Sequence, residues 1–301
     1  MQDRKKLIII LNGISRKKKN FYQNILPGIQ KEFNIDVVET NHQSHAIELG
    51  HQASLESPYG ILAAGGDGTL NQLINGVMKS NVAVPNIGII PLGTGNDFAR
   101  MANIQPDFES ILMKVKSGGK PTDLGKIKCQ SEGGVVTIQY FINVASLGIG
   151  PDVVHRLFKS NRSLGPALTY FKAIAQSFFS HKPEAVNIET DNWNWSGKVR
   201  VLAIANGQSF GSGLFVGPEA LCDDGLFSTF LTGEIPLFKF LWLLQKIKVK
   251  KRIVDPDLLY NRCTNLSVTS SNKCWIETEG ELAGVLPATI EILPRAIKFF
   301  R

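Results

Sequence analysis

Two glycine-rich loops, each placed between an apolar strand and a helical pattern, constrain this chain more than any other feature. The first loop, GGDGTLN over Gly65–Asn71, follows the apolar run Gly60–Ala64. The second loop, LGTGNDF over Leu92–Phe98, follows the next apolar run, Ile87–Pro91. Glycine lets the backbone approach a ligand closely, and the N-terminus of a following helix presents unpaired N–H groups to an anion. We therefore predict one phosphate-binding crevice, lined by both loops, at the carboxyl ends of neighbouring parallel strands.

The first 127 residues alternate short apolar runs with helical patterns. The predicted strands are Leu7–Leu11, Ile35–Glu39, Gly60–Ala64 and Ile87–Pro91. The predicted helices are Phe21–Phe33, Ser44–Ser54 and Leu70–Lys79, with Asn20 and Ser44 at N-cap positions. Nearly unbroken apolar strands joined by helices indicate an α/β domain whose parallel sheet is covered on both faces.

Past this point the pattern changes to short β-rich segments separated by Gly, Asn, Asp and Pro. A Gly133-Gly134 turn joins Lys126–Gln130 to Val135–Val144 as in a hairpin. Further strands are predicted at Ala185–Glu189, Val199–Ala205, Leu226–Thr232, Leu266–Thr269, Lys273–Glu277 and Thr289–Leu293, and helices around Ala167–Phe179 and Pro236–Lys250. We predict that residues 128–293 form a mainly antiparallel β-sandwich. Residues 1–127 form the α/β domain, to which residues 294–301 return because Ile297–Phe300 can add a strand.

Composition and charge narrow the class of partner. Apolar residues make up 43% of the chain and charged residues 20%, as in a globular protein. A net charge of +7 indicates an anionic partner, but the basic residues are dispersed and form no recognised nucleic-acid module, so we expect no nucleic acid. No apolar run reaches the roughly 20 residues of a membrane-spanning helix, which predicts a cytoplasmic protein, soluble or peripheral at the inner face of the membrane. The four cysteines form no CxxC pair, which argues against a zinc site or a disulfide framework.

Acidic residues inside the glycine-rich loops indicate a metal ion. A bare Asp67 carboxylate would repel a phosphate, whereas Mg²⁺ is commonly held between carboxylates and substrate phosphates. Asp97 offers a second carboxylate and Thr94 a hydroxyl. The alternatives are that Asp67 is a solvated cap and that Asn96 and Asp97 are ordinary N-caps. Neither GxxxxGK[ST] nor a properly placed GxGxxG occurs, so a P-loop and a dinucleotide-binding fingerprint are excluded.

With GGDGTLN followed by PLGTGNDFAR, the chain resembles the catalytic domain of the diacylglycerol kinase family, in its bacterial lipid kinase branch. Later segments agree: Thr122–Gly125, Tyr140–Asn143, Leu221–Phe227 and Glu279–Glu281. The resemblance implies a three-layer α/β nucleotide-binding domain, like that of the NAD kinases, followed by a β-sandwich. It also implies ATP as phosphoryl donor, Mg²⁺ as cofactor, and transfer of the γ-phosphoryl group to the hydroxyl of a membrane lipid, with diacylglycerol as the default acceptor.

The same resemblance implies a nucleotide site and its metal. The residues implied to bind ATP are Thr40, Gly65, Gly66, Asp67, Gly68, Thr69, Leu70, Asn71, Thr94 and Asn96. Asp67, Asp97 and Asp123 match acidic residues that arrange the catalytic Mg²⁺ through water. For Asp123 the alternative is a turn residue at the end of a strand.

Two further sites are implied in the second domain. Leu221, Asp224 and Leu226 resemble a structural Mg²⁺ site made of one carboxylate and two backbone carbonyls, although an Asp-Gly turn would have the same sequence. Glu281 matches a general base that accepts the proton of the lipid hydroxyl, although Glu279-Gly280-Glu281 also fits a charged hairpin turn. The family has aspartate where this chain has Glu279, so a role for Glu279 is not carried over.

Two segments are candidate membrane surfaces. Pro236–Arg252 combines Trp and Phe with a basic end, as in a helix that lies on an anionic bilayer, or it is a core helix of the second domain. The second segment, 160–182, contains Phe171 and Arg162. The sequence leaves open whether the chain is a homodimer. It also leaves open two alternatives to a lipid kinase: a related kinase for a soluble acceptor such as NAD or a sugar, and a non-catalytic nucleotide sensor.

Overall fold

The computed structural model describes residues 4–80, 82–159 and 166–301, and these form two compact units. The first unit comprises Met1–Leu124 with Pro294–Arg301, and the second comprises Gly125–Leu293. Arg162 and the side chain of Phe171, which belong to the second candidate membrane surface, lie outside the described residues. Within the described ranges, no helix is both long enough and apolar enough to cross a bilayer.

A parallel sheet is the centre of the first unit. Its strands are β1 (Lys6–Leu11), β2 (Asn34–Glu39), β3 (Gly60–Gly65) and β4 (Asn86–Pro91), in the order β2-β1-β3-β4. All residues of β3 are buried, as the nearly continuous apolar run predicts for a sheet covered on both faces. The C-terminal strand adds to β4: Lys298 and Phe299 pair in parallel with Asn86 and Ile87, which confirms the predicted return of the chain.

The helices of the first unit are α1 (Lys18–Asn20), continued by a π-helical turn (Phe21–Ile25) and α2 (Leu26–Gln30), then α3 (His45–Leu55), α4 (Asp67–Val77), α5 (Asp97–Met101) and α6 (Phe108–Lys116). Of the two predicted N-caps, Asn20 is wrong, because it lies inside helical structure. Ser44 occupies the N-cap position of α3 as predicted, but its backbone is left-handed (φ 66°) and its side chain makes no capping bond. A capping side chain normally needs an extended backbone to reach the first N–H groups. Helix α6 was not predicted.

Antiparallel strands dominate the second unit. They are β5 (Lys120–Gln130, which begins in the first unit), β6 (Val136–Phe141), β7 (Val144–Gly148), β8 (Glu184–Thr190), β9 (Asn194–Val199), β10 (Val201–Ala205), β11 (Phe227–Thr232), β12 (Leu258–Cys263), β13 (Asn265–Ser270), β14 (Trp275–Thr278) and β15 (Glu281–Phe299, which ends in the first unit). One set runs β12-β11-β10-β7-β14-β15, and a second runs β9-β8-β13-β15. Inward side chains of both sets, such as Ile188, Leu202 and Ile276, form one core, as in the predicted sandwich.

The structure corrects several predicted boundaries in this unit. The expected strand Val135–Val144 is interrupted at Ile142 and Asn143, where β6 ends and β7 begins. The expected strand Val199–Ala205 is divided at Arg200 between β9 and β10. The helices are α7 (Ile149–Lys159), which was not predicted, α8 (Pro166–Ser180) and α9 (Leu237–Lys246).

Candidate active site

The two glycine-rich loops lie side by side in the first unit. Strands β3 and β4 are parallel neighbours that pair Gly65 with Pro91, so both loops leave the same end of the sheet. The backbone N–H groups of Leu92 and Gly93 donate to the Gly65 carbonyl at 2.9 and 3.1 Å. A Cβ atom on Gly93 would lie 2.5 Å from the Cα atom of Gly66, so this close approach requires glycine. The loops meet as their sequence predicts.

Asp67 joins the two loops through its side chain. Its carboxylate accepts hydrogen bonds from the N–H groups of Asp97 (3.2 Å) and Phe98 (3.3 Å), the first two residues of α5. Asp67 is itself the first residue of α4, which begins three residues earlier than the predicted Leu70. The first loop therefore supplies the cap that the start of the next helix needs.

The surroundings of Asp67 disfavour the charged form of its carboxyl group. Burial raises the pKa of its carboxyl, and the nearby Asp97 carboxylate raises it further, while the two backbone N–H groups offset part of this effect. Asp67 is half-buried and Asp97 is buried, and the Asp97 carboxylate accepts a bond from Arg100 at 2.5 Å. Two neighbouring carboxylates with little exposure to water are the donor set that a hard divalent cation stabilises. Asp67 and Asp97 therefore fit a Mg²⁺ ion.

Asn96 adds an unsatisfied acceptor to the same place. Its backbone is left-handed (φ 53°), and its amide donates to the Gly93 carbonyl at 2.9 Å. The amide oxygen Oδ1 is buried and accepts no hydrogen bond from the residues that the structure describes. Buried polar atoms are rarely left without a partner, so this oxygen indicates a donor supplied by a ligand or water.

The remaining residues that were predicted to bind ATP differ in their burial and in their hydrogen-bond partners. Leu70 is fully buried in the core, so only its backbone can contact a ligand, and the Asn71 amide oxygen accepts from Asn75. Thr69 Oγ1 accepts from Asn12 Nδ2 at 3.3 Å. Thr94 is exposed on the second loop, and Gly68 lies in the first turn of α4. Thr40 follows β2, and its hydroxyl accepts from Gly13 N at 3.1 Å.

Two residues near the loops were not predicted. Asn12 contacts Thr69, and Lys17 Nζ donates to the Gly93 carbonyl at 3.3 Å. Lys17 places a cation against the second loop. A lysine inside a run of four basic residues carries no sequence signal that separates it from its neighbours.

Asp123 has a structural partner in the first unit. It is fully buried near the start of β5, and its carboxylate accepts from the backbone N–H of Arg295 at 2.7 Å. Arg295 has a left-handed backbone (φ 54°) in the segment that returns to β4. This bond gives Asp123 a structural role, because it fixes a conformation of Arg295 that non-glycine residues rarely adopt. Asp123 itself lies inside β5, so it is not the turn residue at a strand end that the alternative describes.

In the second unit, Glu281 lies at a tight hairpin. It is half-buried and pairs with Thr278 across the two-residue turn Glu279-Gly280, whose φ angles of 54° and 80° are those of a type I′ turn. Glu279 accepts bonds from the N–H groups of Ile142 (3.1 Å) and Asn143 (2.5 Å), where β6 gives way to β7. Glu279, which stands where the family is expected to have aspartate, thus links the turn to the neighbouring strands through these hydrogen bonds.

Glu277 is a third carboxylate at this hairpin, and sequence reasoning missed it. It is almost completely buried, and its carboxyl accepts from the N–H of Gly280 at 2.8 Å and from the hydroxyl of Ser146. Burial raises the pKa of Glu277 to about 7, against the opposing effect of these two bonds. The sequence signal that could have identified Glu277 is the presence of a charged residue within a short, otherwise mostly apolar strand.

The segment implied to hold a structural Mg²⁺ is organised differently. Asp224 Oδ1 accepts from Leu226 N at 3.1 Å, which is the turn alternative, and Oδ2 accepts from the guanidinium of Arg262. Leu221 is exposed at the start of this segment. The bond to Leu226 N and the ion pair with Arg262 favour the turn alternative over a structural Mg²⁺ held by Asp224, because such an ion would compete with the guanidinium for this carboxylate.

A separate group of possible metal ligands lies at the start of α3. Among the described residues, His42, His45 and Glu48 bring one ligand atom each within 4.8 Å of one another. His45 Nδ1 accepts from Asn41 N at 3.1 Å, so this ring nitrogen is already in use. We assign no role to this group.

The family of the chain follows from its two matched domains. The diacylglycerol kinase catalytic domain family matches residues 6–127. The YegS C-terminal NAD kinase beta sandwich-like domain family matches residues 144–301, more than half of the chain. The chain therefore belongs to the kinase family that combines these two domains.

Curated relatives define its kind of kinase. A Bacillus subtilis protein named diacylglycerol kinase is 27% identical over 298 residues, which cover 97% of this chain and 95% of the relative. A Yersinia pestis protein named "Probable lipid kinase YegS-like" is 30% identical over 241 residues, which cover 79% of this chain and 77% of the relative. At the level of the family, the chain is a lipid kinase.

Solved structures agree on the fold. A diacylglycerol kinase from Bacillus anthracis superposes with a TM-score of 0.79 at 22% identity, covering 100% of this chain and 98% of that one. Yeast NADH kinase complexed with NADH gives a TM-score of 0.55 at 12% identity, covering 99% and 83%. These likenesses show an N-terminal α/β domain followed by an antiparallel β-sandwich.

Proposed function

We propose that this chain transfers the γ-phosphoryl group of ATP to the hydroxyl of a membrane lipid, with diacylglycerol as the acceptor to test first. The observation that carries the proposal is the junction of the two loops, where Asp67 caps α5 beside the buried Asp97. This junction combines backbone N–H groups at the start of α4 with two carboxylates, which together match a magnesium–phosphate ligand.

The phosphates of ATP would bind the backbone of Gly65–Thr69 and of the second loop around Thr94. Asp67 and Asp97 would hold Mg²⁺, and the buried Asn96 oxygen would accept a hydrogen bond from a water of its hydration shell or from the nucleotide. Bound Mg²⁺ neutralises the charge that develops on the phosphoryl oxygens. Lys17, bonded to the second loop, adds a further positive charge on that side.

Glu281 would act as the general base. As the lipid oxygen forms its bond to the γ-phosphorus, the bond from that phosphorus to the β–γ bridging oxygen breaks, and Glu281 accepts the hydroxyl proton. ADP leaves with the bridging oxygen. The Glu279-Gly280 turn positions this carboxylate at the first residue of β15. Such proton transfer contributes about 10²–10⁴-fold to the rate.

A kinase for a soluble acceptor is the second candidate, because the fold is also that of yeast NADH kinase. ATP labelled on the γ-phosphate would be incubated with a panel of lipids, including diacylglycerol, phosphatidylglycerol and a sphingoid base, and with NAD and sugars. Mass spectrometry of the products would identify the acceptor. We expect label in a lipid product; label in a soluble product would support the second candidate, and ATP binding without any product would support a nucleotide sensor.

A further inference from the structure

Helix α9 of the second unit has apolar residues on two opposite sides. Phe240 and Leu243 are buried, and with Ile247 they pack into a core cluster of this unit. Phe238 and Trp242 lie about half a helical turn away, one turn apart on the other side, and their exposed fractions are 75% and 45%. The core alternative is thus correct for one side of α9, and the other side has no counterpart in the described part of the unit that would cover it.

The end of α9 and the segment after it are strongly basic. They contribute Lys246, Lys248, Lys250, Lys251 and Arg252, together with Val249, which is 54% exposed. Among the described residues, no carboxylate lies within ion-pair distance of the four lysines, and Arg252 has Glu219 at 3.9 Å. We call Phe238, Trp242, Val249 and these five basic residues the hydrophobic–basic surface.

Ion pairs join the segment that follows the basic run to helix α9. Lys239 pairs with Asp255 at 2.8 Å and with Asp257. These ion pairs fix the segment after the basic run against α9. The two acidic residues that follow the basic run, Asp255 and Asp257, are thus held by Lys239 of α9, and among the described residues the four lysines of the run have no carboxylate within ion-pair distance.

We propose that the hydrophobic–basic surface is where this protein docks on an anionic lipid bilayer. Aromatic side chains beside lysines are the pair of features that interfacial helices present: the rings enter the boundary of the acyl chains, and the lysines reach the headgroups. The Lys246 ammonium lies 5.4 Å from the centre of the Trp242 ring. An aromatic side chain and a cationic group therefore lie side by side on this surface. The excess of cations favours an anionic bilayer over a second copy of this chain, which carries the same charge.

The docking proposal rests on the proposed function, because a kinase for a lipid acceptor must reach the bilayer. It goes further by naming the surface that contacts the bilayer. The docking proposal and the proposed function can fail separately, because docking is measured as vesicle binding without ATP, and phosphoryl transfer is measured on a water-soluble short-chain diacylglycerol without vesicles.

The test is co-sedimentation of the purified chain with vesicles of phosphatidylcholine alone and of an equimolar mixture with phosphatidylglycerol. The variants are Phe238→Ser with Trp242→Ser, and Lys246, Lys248, Lys250 and Lys251 each changed to Gln. The matched control is Val136→Thr with Ile138→Thr, which removes two exposed apolar side chains of β6 in the same unit.

We expect the wild type to bind the anionic vesicles. The aromatic variant should lose at least about tenfold in affinity, and the lysine variant about fivefold for each charge removed. The control should bind as the wild type does, and all variants should keep activity on the short-chain lipid. Wild-type binding to neutral and anionic vesicles alike, unaltered binding of the aromatic variant, or no binding by the wild type would each overturn the proposal.

A measurement on the wild type guards against a variant that fails to fold. Vesicles containing a brominated phospholipid should quench the fluorescence of Trp242, and Trp242→Phe should remove that quenching although three other tryptophans remain. Equal quenching in both proteins would place the contact elsewhere and contradict the proposal.

Discussion

At the scale of single residues, the hairpin Glu277–Glu281 concentrates three carboxylates with different surroundings. Glu279 bonds backbone N–H groups, Glu277 is buried against Ser146, and Glu281 is half-buried at the start of β15. Their environments rather than their shared residue type separate their roles. Glu281 is the one for which we propose catalysis.

Glu281→Gln should lower kcat by about 10²–10⁴-fold, because an amide cannot accept the proton of the lipid hydroxyl. ATP affinity should stay close to that of the wild type, since the nucleotide loops are unchanged. Steady-state kinetics with diacylglycerol and calorimetric ATP binding would measure the two effects. The matched control is Glu291→Gln, an exposed carboxylate on the same strand paired with Lys126, which should leave kcat unchanged. Full activity of Glu281→Gln would remove this residue from the mechanism.

Glu277 should make the stability of the protein depend on pH. Its pKa is about 7 in the folded chain against a normal value of 4.5, so the folded state keeps a proton that the unfolded state loses. The stability that this group contributes is fully present below about pH 4.5 and is lost as pH rises to about 7, by up to roughly 3 kcal/mol. Glu277→Gln, which keeps an acceptor for Gly280, should remove this part of the slope.

Denaturant unfolding at a series of pH values would measure that slope, with Glu291→Gln again as the control, which should retain it. At pH 8 the Glu277→Gln protein should be more stable than the wild type, and near pH 4.5 the two should be similar. The same slope in Glu277→Gln and wild type would show that Glu277 is not the group responsible.

At the scale of elements, the segment Leu221–Leu226 offers the clearest contrast between resemblance and structure. The resemblance implies a metal there, whereas Arg262 on β12 bonds the Asp224 carboxylate. We therefore expect the melting temperature of the wild type to be unchanged by a magnesium chelator. Arg262→Gln should melt at a lower temperature, and added Mg²⁺ should restore part of the loss, because a cation can then take the place of the guanidinium.

Differential scanning fluorimetry with and without chelator would make this comparison. Lys198→Gln, which removes an exposed ion pair with Glu234 in the same unit, serves as the control and should melt like the wild type. A wild-type melting temperature that falls on chelation would instead support the structural metal.

Strands β1 to β4 of the first unit were predictable mainly because their cores are nearly continuous apolar runs, as in Leu7–Leu11 and Ile87–Pro91. The start of α4 was not, because it depends on a distant partner: Asp67 enters the helix while its side chain caps α5. Strand β12, which reads LLYNRC, was missed because polar residues interrupt its apolar pattern. The burial of Glu277 likewise arises from strands far apart in the chain.

At the scale of the whole molecule, family and fold rest on both units rather than on the loops alone. The catalytic-domain match covers residues 6–127, most of the first unit, and the sandwich match covers residues 144–301, which are most of the second unit and the C-terminal segment of the first. The chain passes between the units twice, within β5 and within β15. Sequence patterns could predict a sandwich from short strands, but not its strand order, because pairing between distant strands leaves no local signal.

The central claim is that two neighbouring loops of the first unit bind a nucleoside triphosphate together with Mg²⁺. The measurement that tests it most directly is isothermal titration calorimetry of ATP into the full chain, with Mg²⁺ and with chelator, for wild type, Asp67→Asn and the exposed control Asp36→Asn. Wild type and Asp36→Asn should bind ATP tightly only when Mg²⁺ is present, and Asp67→Asn should lose at least about tenfold of that magnesium-dependent affinity, because it removes a metal-binding charge. Wild-type protein that is folded but binds no ATP in the presence of Mg²⁺, or that binds it equally well with chelator, would contradict the account.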